Sequence, residues 1–140
     1  MNESPPQRVL LDTNIVSYLM SKATWGELYA PLLYDKELSI GFMTLAELLE
    51  AVYHKRWSEN NIVQLTKRLK KEYYILPYSE AICDRFAWVR SQRRNRPISV
   101  PDAFIAATAI AYDLPLVTHN ARDFEGIPRL EVITQYINTH

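Results

Sequence analysis

The stretch Val9-Leu10-Leu11-Asp12-Thr13-Asn14 constrains this chain most: three consecutive apolar residues stop abruptly at an acid followed by two small polar residues. A strand with one solvated face alternates apolar and polar side chains. An unbroken short apolar run reads instead as a strand covered on both faces, the pattern of parallel sheets. Asp12 then stands at the carboxyl end of that strand, and open α/β sheets bind their ligands in the crevice beyond those ends. The question is which other residues reach the same crevice.

Leu38-Ser39-Ile40-Gly41-Phe42-Met43, Tyr74-Ile75-Leu76-Pro77, Leu114 to Thr118 and an edge stretch Leu130 to Ile133 read as further short strands. Helical patterns fill the intervals. Asp12-Thr13-Asn14 caps a helix through Ile15, Val16, Tyr18, Leu19 and Met20, and a second short helix spans about Trp25 to Tyr34. From Thr44 the period is helical, with Leu45, Leu48, Leu49 and Val52 on one side. A polar helix is expected from Ser58 to about Tyr73, burying Ile62, Leu65 and Leu69 while exposing Lys67, Arg68, Lys70 and Lys71. Ser79-Glu80 opens the next, with Ile82, Phe86 and Val89 as its apolar face, and Pro101 opens an alanine-rich helix to Ala111. His119 to Gly126 is a loop, and Met1 to Gln7, with Pro5-Pro6, a flexible lead-in. The alternation predicts an α/β chain with a parallel sheet covered on both faces, in a single domain over residues 1–140.

Composition excludes more than it selects. Hydrophobic content of 48% and charged content of 23% argue against function through disorder. Sixteen basic residues balance sixteen acidic ones, so no global field announces nucleic acid or membrane. The lone Cys83 supports no internal disulfide or thiolate cluster and reads as structural, in keeping with a reducing compartment. No secretory leader pattern opens the chain, and the longest apolar stretch, Ala103 to Ala111, is interrupted by Thr108 and too short for a bilayer. A cytoplasmic protein without membrane contact is expected.

Asp12, Glu47, Asp102 and Asp123 all fall just after a strand or at the start of a helix. Each has a local explanation. Asp12 suits an N-cap, Glu47 completes a capping box with Thr44, Asp102 favours a helix N-terminal turn, and Asp123 suits a loop. If the four converge instead, carboxylates within about 4–6 Å repel by about 1–4 kcal/mol per close pair, and a divalent cation is the natural compensation. All-oxygen ligation selects Mg²⁺ or Mn²⁺ over zinc. Spacing alone leaves both readings open.

Leu11-Asp12-Thr13-Asn14, Thr44-Leu45-Ala46-Glu47, Pro101-Asp102-Ala103-Phe104-Ile105-Ala106-Ala107 and Thr118-His119-Asn120-Ala121-Arg122-Asp123-Phe124, in this order and at these separations, resemble PIN-domain ribonucleases, and within them the VapC-type toxins of toxin–antitoxin pairs. The resemblance extends from Val9 to about Ile133. It implies a three-layer α/β/α sandwich with a short central parallel sheet of four to five strands. It makes Asp12, Glu47, Asp102 and Asp123 the quartet holding one or two Mg²⁺ or Mn²⁺ ions. Thr118 and Asn120 become polar groups that orient water or a carboxylate, and Asn14 the partner that fixes Asp12.

The activity implied is metal-dependent hydrolysis of RNA phosphodiesters, of transfer or ribosomal RNA, by an activated water aligned for in-line attack, leaving 5′-phosphate and 3′-hydroxyl ends. The partners implied are a cognate VapB-like antitoxin that blocks the site and a second copy in a homodimer. Arg90, Arg93, Arg94 and Arg96 precede the Asp102 helix and are the candidates for RNA contact, with Lys67, Arg68, Lys70 and Lys71 a second basic run; a solvated helix face is the alternative for either. Trp25, Tyr29, Tyr34, Tyr53 and Trp57 are candidate exposed aromatics for docking, against partial core burial. His54 and His119 are left without a catalytic role.

Competing readings are weaker. A haloacid-dehalogenase phosphatase needs a second Asp where Asn14 stands, and a receiver domain needs paired acids that do not closely precede Asp12. An inactive PIN-like scaffold has no need of all four acids, and a free-standing ribonuclease would lack the antitoxin.

Overall fold

Apolar runs that do not alternate become strands sealed from both sides. In the computed structural model, which describes residues 4–21 and 24–135, five strands form one sheet, sealed at its centre and partly exposed at its edges. The order along the chain is β1 (Arg8–Leu11), α1 (Thr13–Ser21), α2 (Thr24–Leu33), β2 (Glu37–Gly41), α3 (Phe42–His54), α4 (Glu59–Glu72), β3 (Tyr74–Leu76), α5 (Glu80–Gln92), α6 (Val100–Ala111), β4 (Leu116–Val117), a short 3-10 helix (Ala121–Phe124) and β5 (Val132–Ile133). The sheet runs β3-β2-β1-β4-β5, every pair parallel. This is the expected α/β architecture.

The pleat sends alternate β1 residues to opposite cores. Val9 and Leu11 join Ile40 and Val117 under α1 to α4, packed against Ile15, Val16, Leu48, Val52, Leu65 and Leu69. Leu10 joins Leu76 and Leu116 under α5 and α6, against Val89, Ala103, Ala106 and Ala109. The small alanine side chains let α6 lie close to the sheet. Ile62, Leu65 and Leu69 are the buried stripe of α4, and the hydroxyls of Ser58, Ser79 and Ser99 accept from the backbone N–H three residues on, capping α4, α5 and α6.

Helix α3 departs from expectation. It begins at Phe42, directly out of β2, with Gly41 as N-cap and no side-chain cap, so Thr44 and Glu47 form no capping box. A Cβ on Gly41 would lie 3.3 Å from Thr108 Cγ2, and this close approach of α6 suits a glycine at the strand-to-helix junction. Residues 121–124 form a 3-10 helix where a plain loop was expected, and β4 is shorter than its apolar run. Cys83 is exposed instead of packed. Tyr29 is fully buried, while Trp25, Tyr34, Tyr53 and Trp57 are exposed. Of the N-terminal lead-in, Met1 to Glu3 lie outside the described residues; residues 4–7 are exposed without regular structure, yet the Gln7 carbonyl accepts from Glu37 N at 2.9 Å. No helix among the described residues is long and apolar enough to cross a membrane.

Gly26 lets α2 cross α1: a Cβ there would stand 2.6 Å from the Tyr18 carbonyl oxygen. Alanine ordinarily favours a helix interior over glycine by about 1 kcal/mol. The Gly26→Ala variant is nevertheless expected to lose about 1–3 kcal/mol, because backbone must move, and thermal unfolding reads the sign. A variant more stable than wild type would mean that α1 and α2 do not meet so closely.

Candidate active site

The strand order reverses at β1, with β2 and β3 on one side and β4 and β5 on the other, so β1 and β4 bound the switch-point crevice. Asp12 leaves β1 there. Its N–H donates to the Val117 carbonyl at 2.9 Å, which brings it level with Thr118 at the end of β4. The Thr118 hydroxyl donates to Asp12 Oδ2 at 2.7 Å and the Thr13 N–H to Oδ1 at 2.8 Å. The Asp12 carbonyl also receives the first backbone bonds of α1, from Ile15 and Val16. Capping position and site position therefore coincide in one residue. At 5% exposure its carboxylate is nearly sealed.

The other acids arrive from three elements. Glu47, in the second turn of α3, has Oε1 held by the Thr13 hydroxyl at 2.7 Å, and that hydroxyl is 3.0 Å from the Thr44 hydroxyl. Asp102 lies in the first turn of α6, its N–H on Ser99 Oγ at 3.3 Å. Asp123 sits in the 3-10 helix, its N–H on the Asn120 carbonyl at 3.0 Å, while the Asn120 N–H reaches Thr118 Oγ1 at 3.0 Å. Asp102 and Asp123 share a cleft of about 230 Å³ with Ser99, Arg93 and Arg96.

The charges feel one another. Burial pushes the Asp12 carboxyl up to about 6; the Thr118 and Thr13 hydrogen bonds oppose the rise, and the negative charges of Asp102 and Glu47 add to it. Asp102 is also raised, first by burial, with Ser99 and Arg93 pulling it down and Asp123 and Glu47 pushing it up. Among the described residues none of the four forms an ion pair within 4 Å. Nor do three or more His, Cys, Asp or Glu side chains among them stand close enough together to hold a metal ion. The donor chemistry nonetheless fits a hard cation: carboxylate oxygens without cationic partners, together with the buried and unpartnered Oδ1 of Asn14 in the first turn of α1.

The expected supporting roles are redistributed. Asp12 is held by Thr118 and the Thr13 N–H, whereas Asn14 Oδ1 has no hydrogen-bond partner. Asn120 contributes its backbone, its side chain being exposed. Of the arginines, Arg90 and Arg94 are exposed, Arg90 lying 5.8 Å over the Phe86 ring. Arg96 is occupied by the Arg122 carbonyl and Glu125 Oε2, and Arg93 is buried and bonded only to backbone carbonyls. One signal marked Arg93 in advance: the apolar stripe Ile82, Phe86, Val89 continues at helical spacing to position 93. Thr13 carried no such mark, because its partner Glu47 is distant in sequence.

The raised Asp12 carboxyl predicts the pH dependence of the metal-free chain. Unfolding returns the group to its ordinary value of 3.8, so between there and about 6 the folded state holds more protons and stability falls as pH rises, by about 3 kcal/mol in all. Thermal unfolding with chelator, compared between wild type and Asp12→Asn, is expected to show the variant gaining relative stability from pH 4 to pH 7. A constant difference would mean that Asp12 ionises as freely in the fold as out of it.

The family model described as PIN domain matches residues 9–130. Ribonuclease VapC of Rickettsia bellii is 57% identical over 137 residues, covering 90% of this chain and 95% of its own length. Ribonuclease VapC1 of Haemophilus influenzae strain R2866 is 31% identical over 126 residues, covering 87% and 93%. Among solved structures, VapBC-1 from nontypeable Haemophilus influenzae superposes with a TM-score of 0.78 at 26% identity, over 91% of this chain and 98% of that one.

Proposed function

The chain belongs to the PIN domain family, and from that premise we propose that it is the toxin of a VapBC-type toxin–antitoxin pair, a cytoplasmic Mg²⁺- or Mn²⁺-dependent endoribonuclease restrained by a cognate antitoxin. The observation that carries this reading is Asp12, nearly sealed at the carboxyl end of β1, where burial and the charges of Asp102 and Glu47 disfavour its ionised form. The names of the relatives support it. So does the VapBC neighbour, which gives the antitoxin as the expected partner.

Asp12, Glu47, Asp102 and Asp123 would hold one or two ions. When bound, the cation supplies an activated water and offsets the negative charge that gathers on the phosphoryl group and the leaving oxygen. The chain's own residues prepare the place. The Thr118 hydroxyl and the Thr13 N–H hold Asp12 in one orientation and favour its charged form. The Thr13 hydroxyl holds Glu47 Oε1 in place at 2.7 Å. The N-termini of α1 and α6 present partial positive charge to the acids and to an incoming phosphate. Attack by water on phosphorus breaks the bond to O3′, which takes up a proton, so the ends are a 5′-phosphate and a 3′-hydroxyl.

The test is incubation of purified protein with transfer and ribosomal RNA, with Mg²⁺ or Mn²⁺ and with chelator, followed by mapping of ends. Discrete metal-dependent cuts with 5′-phosphates are expected, with Asp102→Asn reducing the rate by about 100-fold or more. Cuts that survive chelation or the variant contradict the reading.

Thr118→Val keeps the shape of its side chain and removes the donor to Asp12. It is expected to cost about 10–100-fold in activity or metal affinity, read by kinetics and by titration. Wild-type values would mean that Asp12 needs no such partner.

A further inference from the structure

We propose that Arg93 is a positioning residue of the acidic site: its buried guanidinium locks the backbone that carries Asp123 and stands as a fixed cation near Asp102, acting through these carboxylates and not on RNA. The proposal rests on the nuclease reading above. Arg93 follows the last turn of α5 and is 7% exposed. Its Nε donates to the Arg96 carbonyl at 2.7 Å, and its Nη1 donates to the carbonyls of Asp123 at 3.0 Å and Glu125 at 2.9 Å.

Three segments meet on this one side chain: the end of α5, the loop that leads into α6 and Asp102, and the stretch 123–125. The Asp123 carbonyl is itself an acceptor, so the backbone of a site acid is clamped directly. The turn at Gly126, at φ +77, closes beside the arginine stem, whose Cδ lies 3.9 Å from where a glycine Cβ would stand.

A buried cation without an ion-pair partner is costly unless its surroundings repay it. Here three carbonyl dipoles do so in part, and Arg93 lines the same cleft as Asp102 and Asp123. Lysine does not substitute. A planar fork donates in two fixed directions at once, to Arg96 on one side and to 123–125 on the other, whereas an ammonium is a single point. Nε and Nη1 are engaged by carbonyls, which leaves only Nη2 for a phosphate on a side chain that is 7% exposed.

Arg93→Lys and Arg93→Gln, purified metal-free, test this through Mn²⁺ titration followed by electron paramagnetic resonance, through kcat and KM on RNA, and through the salt dependence of KM. Both variants are expected to bind Mn²⁺ about tenfold or more weakly and to lose kcat, with KM and its salt slope unchanged. Unchanged Mn²⁺ affinity with a raised KM and a salt slope shallower by about one would identify an RNA contact and overturn the proposal. So would full recovery by lysine, since charge alone would then suffice. Hydrogen exchange on the metal-free wild type needs no variant: the amides of Asp123 and Glu125 are expected to be protected like core amides, and fast exchange would mean that the segment is not locked. If the wild type cuts no RNA, the nuclease reading fails, while the Mn²⁺ and exchange results still decide the role of Arg93.

Discussion

Parallel pairing of β1 with β4 sets the Asp12 carboxylate against the Thr118 hydroxyl at the centre of the sheet. The rest of the acidic end follows from having to keep a charge there. Burial disfavours that charge, two neighbouring acids disfavour it further, and only two hydrogen bonds favour it. A protein selected for stability alone would place a neutral residue at this position. The α1 N-terminus, the Thr13 bridge to Glu47 and the Ser99 cap of α6 each hold an element or side chain in place around Asp12. The cost of gathering like charges is thereby spread over several helices instead of being concentrated in one loop.

This division of labour also explains the arginines. Four cationic side chains close in sequence invite a reading as an RNA-binding surface, yet only Arg90 lies within α5, with Arg93 its C-cap and Arg94 and Arg96 beyond it. Arg90 and Arg94 face outward, whereas position 93 continues the buried stripe and turns its charge inward to carbonyls. The same basic stretch thus divides between the surface and the support of the acidic cleft.

Much of the architecture was legible because it depends on short-range pattern. Unbroken apolar runs marked the strands, the Leu10 versus Val9 and Leu11 split followed from the pleat, and Ser58, Ser79 and Pro101 marked helix starts. What could not be read depends on groups far apart in sequence. The start of α3 answers to Thr108 in α6, and Glu47 answers to Thr13 instead of to Thr44 as a cap. The resemblance made Asn14 the partner that fixes Asp12 and Thr118 a group that orients water or a carboxylate; the sheet register puts the Thr118 hydroxyl on Asp12, while Asn14 Oδ1 has no partner among the described residues. Tyr29 could be read as a docking aromatic or as partly buried core, and the structure packs it into the core with its hydroxyl on His119 and Gln135 across the fold.

For the proposed chemistry to run, Asp12, Glu47, Asp102 and Asp123 must form one cation site. The most direct measurement is a crystal structure of the chain grown or soaked with Mn²⁺, with anomalous differences recorded to locate the ion. An anomalous peak within about 2.0–2.3 Å of Asp12 and of Asp102 or Asp123 oxygens is the predicted result. No peak at this site under saturating Mn²⁺, or a peak held only by surface carboxylates elsewhere, would contradict it and leave the acids as local capping residues.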